Sequence, residues 1–208
     1  MSTATQSLAE EAARIILDEA VQDYGAAKRK ARERLGLPAT IALPKNTEVE
    51  QALITLQQLF GGRQHLALQQ RMRETALQAM TVLADFQPRL VGPTLAGTAT
   101  PHSAVNLHLF ADSPEEVLMQ LISQRIPFES FERRLRTRAG AGYEEFPALR
   151  FVAGDVALEL TVFPEHGVRQ APLSPIDGKP MRRATTADVA ALLAEDEAAR
   201  AADAAQDD

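Results

Sequence analysis

The strongest constraint on the fold is a change in hydrophobic period at Pro88. Before it, apolar residues recur at helical spacing, whereas after it they alternate with polar residues, which is typical of half-buried strands. Leu107 and Leu109, for example, flank the polar His108. A chain that is helical first and rich in strands afterwards predicts an α+β fold.

Three helices are expected before Pro88. They cover about residues 7–35, 47–60 and 63–86. Gly36 ends the first, because glycine suits the left-handed cap and the following Leu-Pro cannot continue a helix. A capping box from Thr47 to Glu50 opens the second, and the Gly61-Gly62 pair ends it.

The second half of the chain predicts a mixed β-sheet with flanking helices. Strands are expected at 90–91, 105–110, 127–137, 149–152 and 156–163, and helices at 113–125 and 185–193. Gly154-Asp155 predicts a hairpin turn, and the composition of residues 164–183 predicts a long surface loop. The predicted organisation is a helical region at 1–86, an α/β domain at 87–195 and an acidic, Ala-rich disordered tail at 196–208.

Composition narrows the classes of function. The chain is 45% hydrophobic and 24% charged, as expected of a globular protein. Its net charge of −6 argues against indiscriminate nucleic-acid binding by the whole surface. It has no cysteine, which excludes disulfides and thiolate zinc sites. The first residues lack the pattern of a secretory signal and no apolar run suffices for a bilayer, so a cytoplasmic protein of bacterial style, without membrane contact, is expected.

The segment from Gly92 to Leu107 carries most of the functional information. It reads Gly92-Pro-Thr-Leu-Ala-Gly97-Thr-Ala-Thr-Pro-His-Ser103-Ala104-Val-Asn106-Leu107. The segment resembles the signature of the DNA polymerase beta-like nucleotidyltransferase superfamily, which is Gly-Ser, a second Gly, then Ser-Asp-hydrophobic-Asp-hydrophobic. The matching residues are Gly92, Gly97, Ser103, Val105 and Leu107. The resemblance implies a nucleotidyltransferase-like fold for the α/β domain.

The residues that carry the chemistry in this family are replaced here. Pro93 stands where the family has Ser, and Ala104 and Asn106 stand where it has two metal-binding Asp. In the family, these Asp and a third carboxylate hold two Mg²⁺ ions that bridge the triphosphate. Glu159, in a Leu-Glu-Leu sequence, matches only the third. The resemblance therefore implies a protein without catalytic residues, metal or cofactor.

What remains of the motif favours a regulatory module that binds a nucleotide, an RNA or a protein. Glycine allows close backbone approach to a phosphate, and hydroxyl or guanidinium groups can bind one. The candidate nucleotide-binding residues are Thr94, Gly97, Thr98, Arg134 and Arg136. A protein partner would bind through the N-terminal helices.

Two alternatives stay open, and with them the question of whether the chain is an enzyme. One is an active nucleotidyltransferase whose Mg²⁺ site is rebuilt from Glu159, His108 and Asp112 or Asp155. His102 and His108 are also candidate nitrogen ligands for a metal beside Glu159. The other is a nucleic-acid-binding accessory protein that uses the basic run at 28–34.

Overall fold

The computed structural model describes residues 3–138, 140 and 142–204, and these form an α+β fold. The α-helices are α1 (Thr3–Asp18), α2 (Tyr24–Arg34), α3 (Asn46–Leu56), α4 (Gly62–Val82), α5 (Pro93–Ala96), α6 (Pro114–Ser123) and α7 (Thr186–Ala204). The strands are β1 (Arg89–Val91), β2 (Val105–Ala111), β3 (Glu129–Leu135), β4 (Glu144–Ala153) and β5 (Val156–Pro164). No helix in this described part is long and apolar enough to cross a membrane.

The strands form one mixed sheet in the order β1-β2-β5-β4-β3. β2 and β5 run parallel, and the other neighbouring pairs are antiparallel. The predicted hairpin at Gly154-Asp155 is confirmed: Ala153 pairs with Val156. Gly154 has φ +64°, a left-handed conformation that glycine adopts without strain.

The chain divides into two compact units. The first contains the residues up to Leu68 together with 98–103 and 174–178. The second contains 69–97, 104–173 and the chain from Lys179 onward. The division therefore falls within α4, whereas the sequence analysis set it at residue 86.

In the first unit, α1 packs against α2 and α3 around an apolar core. Its most buried residues are Leu8, Ala12, Ala13, Ile15, Ala27, Ala31 and Val49, all at 0% exposure. The four alanines have short side chains, which allow the helices to approach each other closely.

The expectation of one helix over 7–35 is wrong, because the chain turns between α1 and α2. Ala20 adopts a left-handed φ of +57°. The side chain of Asp23 then accepts a hydrogen bond from the N–H of Ala26 at 2.6 Å, which caps α2. The turn folds the two amphipathic helices onto each other and buries both apolar faces.

The predicted stop at Gly36 is confirmed, since α2 ends at Arg34 and Gly36 has φ +62°.

The start of α3 is shifted from the predicted capping box. The helix begins at Asn46, and the carboxylate of Glu48 accepts a hydrogen bond from the N–H of Lys45 at 2.7 Å. Glu50 accepts instead from the hydroxyl of Tyr24. At the other end, a π-helical turn at Gln57–Gly61 links α3 to α4.

In the second unit, one face of the sheet forms the apolar core. Leu107 and Leu109 on β2 lie beside Leu158 and Leu160 on β5, and all four are fully buried. Helix α6 packs on these two strands and begins at Pro114, directly after Ser113, as predicted. The opposite face, the polar face, carries the candidate site around Asn106 and Glu159, and further along the same strands it carries the buried Phe110 and Phe163.

The loop that follows β5 is more ordered than the sequence suggests. It contains a 3₁₀ turn at Glu165–Arg169 and returns to pair Ala184 with Leu90 of β1, through two backbone hydrogen bonds of 2.9 Å. The next helix, α7, starts where Asp188 accepts from the N–H of Thr185 at 2.8 Å.

Helix α7 extends well past residue 193, where the sequence analysis ended it. It continues to Ala204, so residues 196–204, expected as disordered tail, are helical. Alanine and glutamate favour a helix strongly enough to explain this extension. The rest of the predicted tail, 205–208, lies outside the described residues.

Candidate functional site

The polar face of the sheet brings together two predicted site residues. Asn106 on β2 and Glu159 on β5 are direct register partners, so their side chains lie on the same face of adjacent strands. β1 adds Val91 opposite Asn106, and Gly92 follows. Gly92 has φ +74°, and a Cβ at this position would lie 3.6 Å from Nδ2 of Asn106. The structure therefore places Asn106 and Glu159 side by side on one face of the sheet.

Glu159 is held between two arginines that are not among the nucleotide-binding candidates predicted from the sequence. One carboxylate oxygen accepts from Nε and Nη2 of Arg150 at 2.9 and 2.6 Å. The other oxygen accepts from Nη2 of Arg133. The Glu159 side chain is only 13% exposed, which limits screening of these ion pairs by water.

Asn106 is engaged by the same cluster. Its Oδ1 accepts from Nη1 of Arg133 at 2.8 Å, and its Nδ2 donates to the carbonyl of Ala104 at 2.9 Å. Arg133 thus bridges the two strands that would carry metal ligands in the family the motif resembles. Both Glu159 and Asn106 use their side-chain oxygens as acceptors for guanidinium groups.

The ring of Phe131 lies under the guanidinium groups of both Arg133 and Arg150. The guanidinium carbon of Arg133 lies 5.6 Å from the ring centroid, and that of Arg150 lies 5.2 Å from it. Such cation–π contacts attract a guanidinium to the ring face. The ring therefore helps to hold the two cations beside each other.

The arginines chosen from the sequence occupy other surroundings. Arg134 alternates with Arg133 along β3, and it pairs with Glu145 at 3.5 Å and lies over Tyr143. Its side chain is 67% exposed. Arg136 lies just beyond the strand, where its carbonyl accepts from the N–H of Leu173. Neither contacts Asn106 or Glu159, because successive strand residues point to opposite faces.

The contacts of Glu159 with Arg150 and Arg133 follow from the register of the strands, part of which the sequence predicts. A hairpin that turns at Gly154-Asp155 pairs Arg150 with Glu159. The parity of β3 also places Arg133 on the same face as Phe131. The long Arg133 side chain then reaches over β4 to β5, which local sequence does not reveal.

The segment from Gly92 to Gly97 is bent by two glycines, with φ +74° and +80°. Between them lies α5, a helix of four residues. Thr94 is completely buried, and its hydroxyl has no hydrogen-bond partner within the described chain. Its carbonyl accepts from Nε of the buried Arg73 at 3.3 Å. The Thr94 hydroxyl therefore does not face a ligand that approaches from solvent.

Two further residues of the segment from Gly92 to Leu107, Thr98 and Ser103, belong to the first unit. Thr98 is 4% exposed, and its carbonyl accepts from Nε2 of Gln57 at 3.1 Å. Ser103 closes a turn in which its Oγ accepts from the N–H of Thr100 at 3.0 Å. His102, in the same turn, donates its N–H to the Thr100 hydroxyl.

The residues suggested for a rebuilt metal site are engaged elsewhere. His108 is 2% exposed, and its Nδ1 accepts from Nε of Arg183 at 3.1 Å. Burial, together with the charges of Arg183 and Arg133, lowers the pKa of His108 to about 3. Asp155 pairs with Arg71 at 2.6 Å, and Asp112 is exposed beyond the end of β2. In the described residues, no group of three His, Asp or Glu side chains is placed to hold a metal ion.

The basic run at 28–34 is largely engaged within the first unit. Lys28 donates to the carbonyl of Pro44 and to Oδ1 of Asn46. Lys30 and Arg34 both pair with Glu19, at 2.5 and 2.7 Å. These contacts leave less positive charge for nucleic-acid phosphate than the sequence suggests.

No protein-family model matches the chain, and neither a curated protein nor a solved structure matches it.

Proposed function

We propose that this chain is a catalytically inactive nucleotidyltransferase-like protein that binds a nucleotide on the polar face of its sheet and acts as a regulatory module. The observation that carries the proposal is the double ion pair of Glu159 with Arg133 and Arg150. Where the family signature has carboxylates for Mg²⁺, this face presents guanidinium groups.

The charge of the site argues against two-metal catalysis. The two guanidiniums and one carboxylate carry a net charge of +1. A Mg²⁺ ion needs hard oxygen ligands with negative charge, and here it would have to displace both arginines from Glu159. Like charges at contact distance repel by several kcal/mol in a partly buried site. Ala104 supplies no side-chain ligand to offset this repulsion.

The same charge favours an anion. Guanidinium groups bind phosphate oxygens in bidentate geometry, and a positive site needs no metal to offset repulsion from a triphosphate. Nucleotide binding should therefore depend little on Mg²⁺. The active alternative, with a site rebuilt around His108, is less favoured because that side chain is buried and bonded to Arg183.

Two measurements test the proposal together. Calorimetric titration with ATP and GTP, in Mg²⁺ and in EDTA, should give binding of similar affinity in both buffers. Incubation with labelled nucleotides and Mg²⁺ or Mn²⁺ should give no nucleotidyl transfer and no pyrophosphate release.

Three results would count against it. Turnover that disappears in Glu159→Ala would favour the enzyme with a rebuilt site. Binding that is lost in EDTA would imply an intact metal site. If neither nucleotide binds in either buffer, the nucleotide is not the ligand.

A further inference from the structure

The Glu159 carboxylate occupies the position that an external anion would take between two arginines. Its two oxygens accept from different guanidiniums, Arg150 on one and Arg133 on the other. Two oxygens of a phosphate group would accept the same donors with similar geometry. The intramolecular contact therefore resembles a bound ligand.

The arginines also have contacts that do not involve Glu159. Arg133 donates to Asn106 at 2.8 Å, and both guanidiniums lie over Phe131. Each guanidinium has five N–H donors, so donors remain after these bonds are made. The pair is accordingly preorganised for an anion, which reduces the entropy cost of binding.

Solvent reaches the cluster from the arginine side. The side chain of Arg150 is 50% exposed and that of Arg133 is 24% exposed, whereas that of Glu159 is 13% exposed. An incoming phosphate can thus meet Arg150 first, without prior rearrangement of the sheet.

We propose that Arg133 and Arg150 form the phosphate-binding site of this protein and that Glu159 is an internal competitor, which the phosphate group of a nucleotide displaces. This inference rests on the proposed function and deepens it, because it names the receptor groups and a built-in restraint on affinity. Phosphate binding is thereby assigned to Arg133 and Arg150 instead of to Arg134 and Arg136, the arginines predicted from the sequence. No metal takes part.

The test compares charge-removing variants in EDTA, with ATP and inorganic pyrophosphate as probes. Glu159→Gln removes the competing charge, and it should tighten binding of both probes by about tenfold, equivalent to about 1.4 kcal/mol. Arg133→Gln and Arg150→Gln each remove a receptor group, and should weaken binding by about tenfold or more.

The chain offers a matched control pair on the same strands. Arg134 and Glu145 form an ion pair that does not contact Glu159. Arg134→Gln and Glu145→Gln should change affinity less than about twofold, since exposed charges are screened by salt. A general effect of net charge would instead appear equally in both sets of variants.

A second measurement covers the case in which Glu159→Gln fails to fold. In the wild-type protein, the ¹⁵N Nε signals of Arg133 and Arg150 should shift on titration with pyrophosphate, and that of Arg134 should not. Circular dichroism and thermal unfolding identify any misfolded variant.

The outcomes separate the inference from the proposed function. If wild-type protein binds ATP but the arginine variants bind it equally well, or if Glu159→Gln binds more weakly, the inference is wrong and the function stands. If pyrophosphate binds at the two arginines and nucleotides do not, the phosphate site stands and the nucleotide function is wrong. If neither probe binds any form, both are wrong.

Discussion

The guanidinium of Arg73 forms an ion pair with the carboxylate of Asp196 at 2.6 Å, and so joins α4 to α7. The Arg73 side chain is 9% exposed, and its Nε also donates to the carbonyl of Thr94. One buried cation thereby links two helices and the segment between Gly92 and Gly97.

Removing the carboxylate should destabilise the second unit, because it leaves a buried guanidinium without its ion-pair partner. We expect Asp196→Ala to lower the free energy of unfolding by about 1–3 kcal/mol. Urea denaturation measures it. The matched control is Asp155→Ala, which breaks the exposed Arg71–Asp155 pair and should cost less than about 1 kcal/mol. Equal losses in both variants would contradict the role of burial.

The buried His108 predicts a dependence of stability on pH. Its pKa is about 3 in the folded protein and 6.5 in the unfolded chain, so the unfolded chain takes up the proton first. The contribution is present above pH 6.5 and is lost as the pH falls toward 3, with a slope of up to about 1.4 kcal/mol per pH unit. Denaturation from pH 7.5 to 5 measures the slope.

Replacing His108 should remove this dependence of the free energy of unfolding on pH, independently of any effect on stability at neutral pH. His108→Gln is the test, and His166→Gln, which changes an exposed histidine, should keep the wild-type slope. The neighbouring Arg183 does not titrate in this range, although burial and the charge of Arg89 lower its pKa to about 10. A slope that persists in His108→Gln would assign the effect to other groups.

The left-handed conformation at Gly97 predicts a cost for any side chain there. Gly97 has φ +80°, and alanine in that region is strained, so Gly97→Ala should destabilise by about 1–2 kcal/mol. A Cβ at this position would meet only Nη2 of Arg73, at an ordinary 3.7 Å, so strain and not collision is the cause. Thermal unfolding checks this, with Gly142→Ala as the control, since that position is in open space. A neutral Gly97→Ala would show that the segment relaxes.

The hydrogen bond between Tyr24 and Glu50 predicts a stability effect in the first unit. Burial and the Glu50 charge raise the pKa of Tyr24, so its hydroxyl stays a donor across the range of stability. Tyr24→Phe leaves the Glu50 carboxylate, 9% exposed, without this donor and should cost about 1–3 kcal/mol. Tyr143→Phe, at 60% exposure, should be nearly neutral in the same denaturation experiment. Equal effects would count against the hydrogen bond.

Local sequence was enough to predict the features that depend on near neighbours along the chain. The change of period at Pro88 predicted an α+β chain, and the Gly154-Asp155 turn and the helix after Ser113 were correctly placed. Alternation along β2 also separated Asn106 from the buried Val105 and Leu107. These predictions are correct because backbone preferences and the two-residue period of a strand act over only a few residues.

The side-chain contacts across the sheet depend on long-range packing, which local sequence does not predict. Arg133 reaches Glu159 over an intervening strand, a contact between residues that are 26 positions apart in the chain. The turn between α1 and α2 likewise forms because folding back buries two apolar faces, which outweighs the local preference for one continuous helix. Local sequence shows alanine at 104 and asparagine at 106, but long-range packing and strand register decided that guanidinium groups hold Glu159.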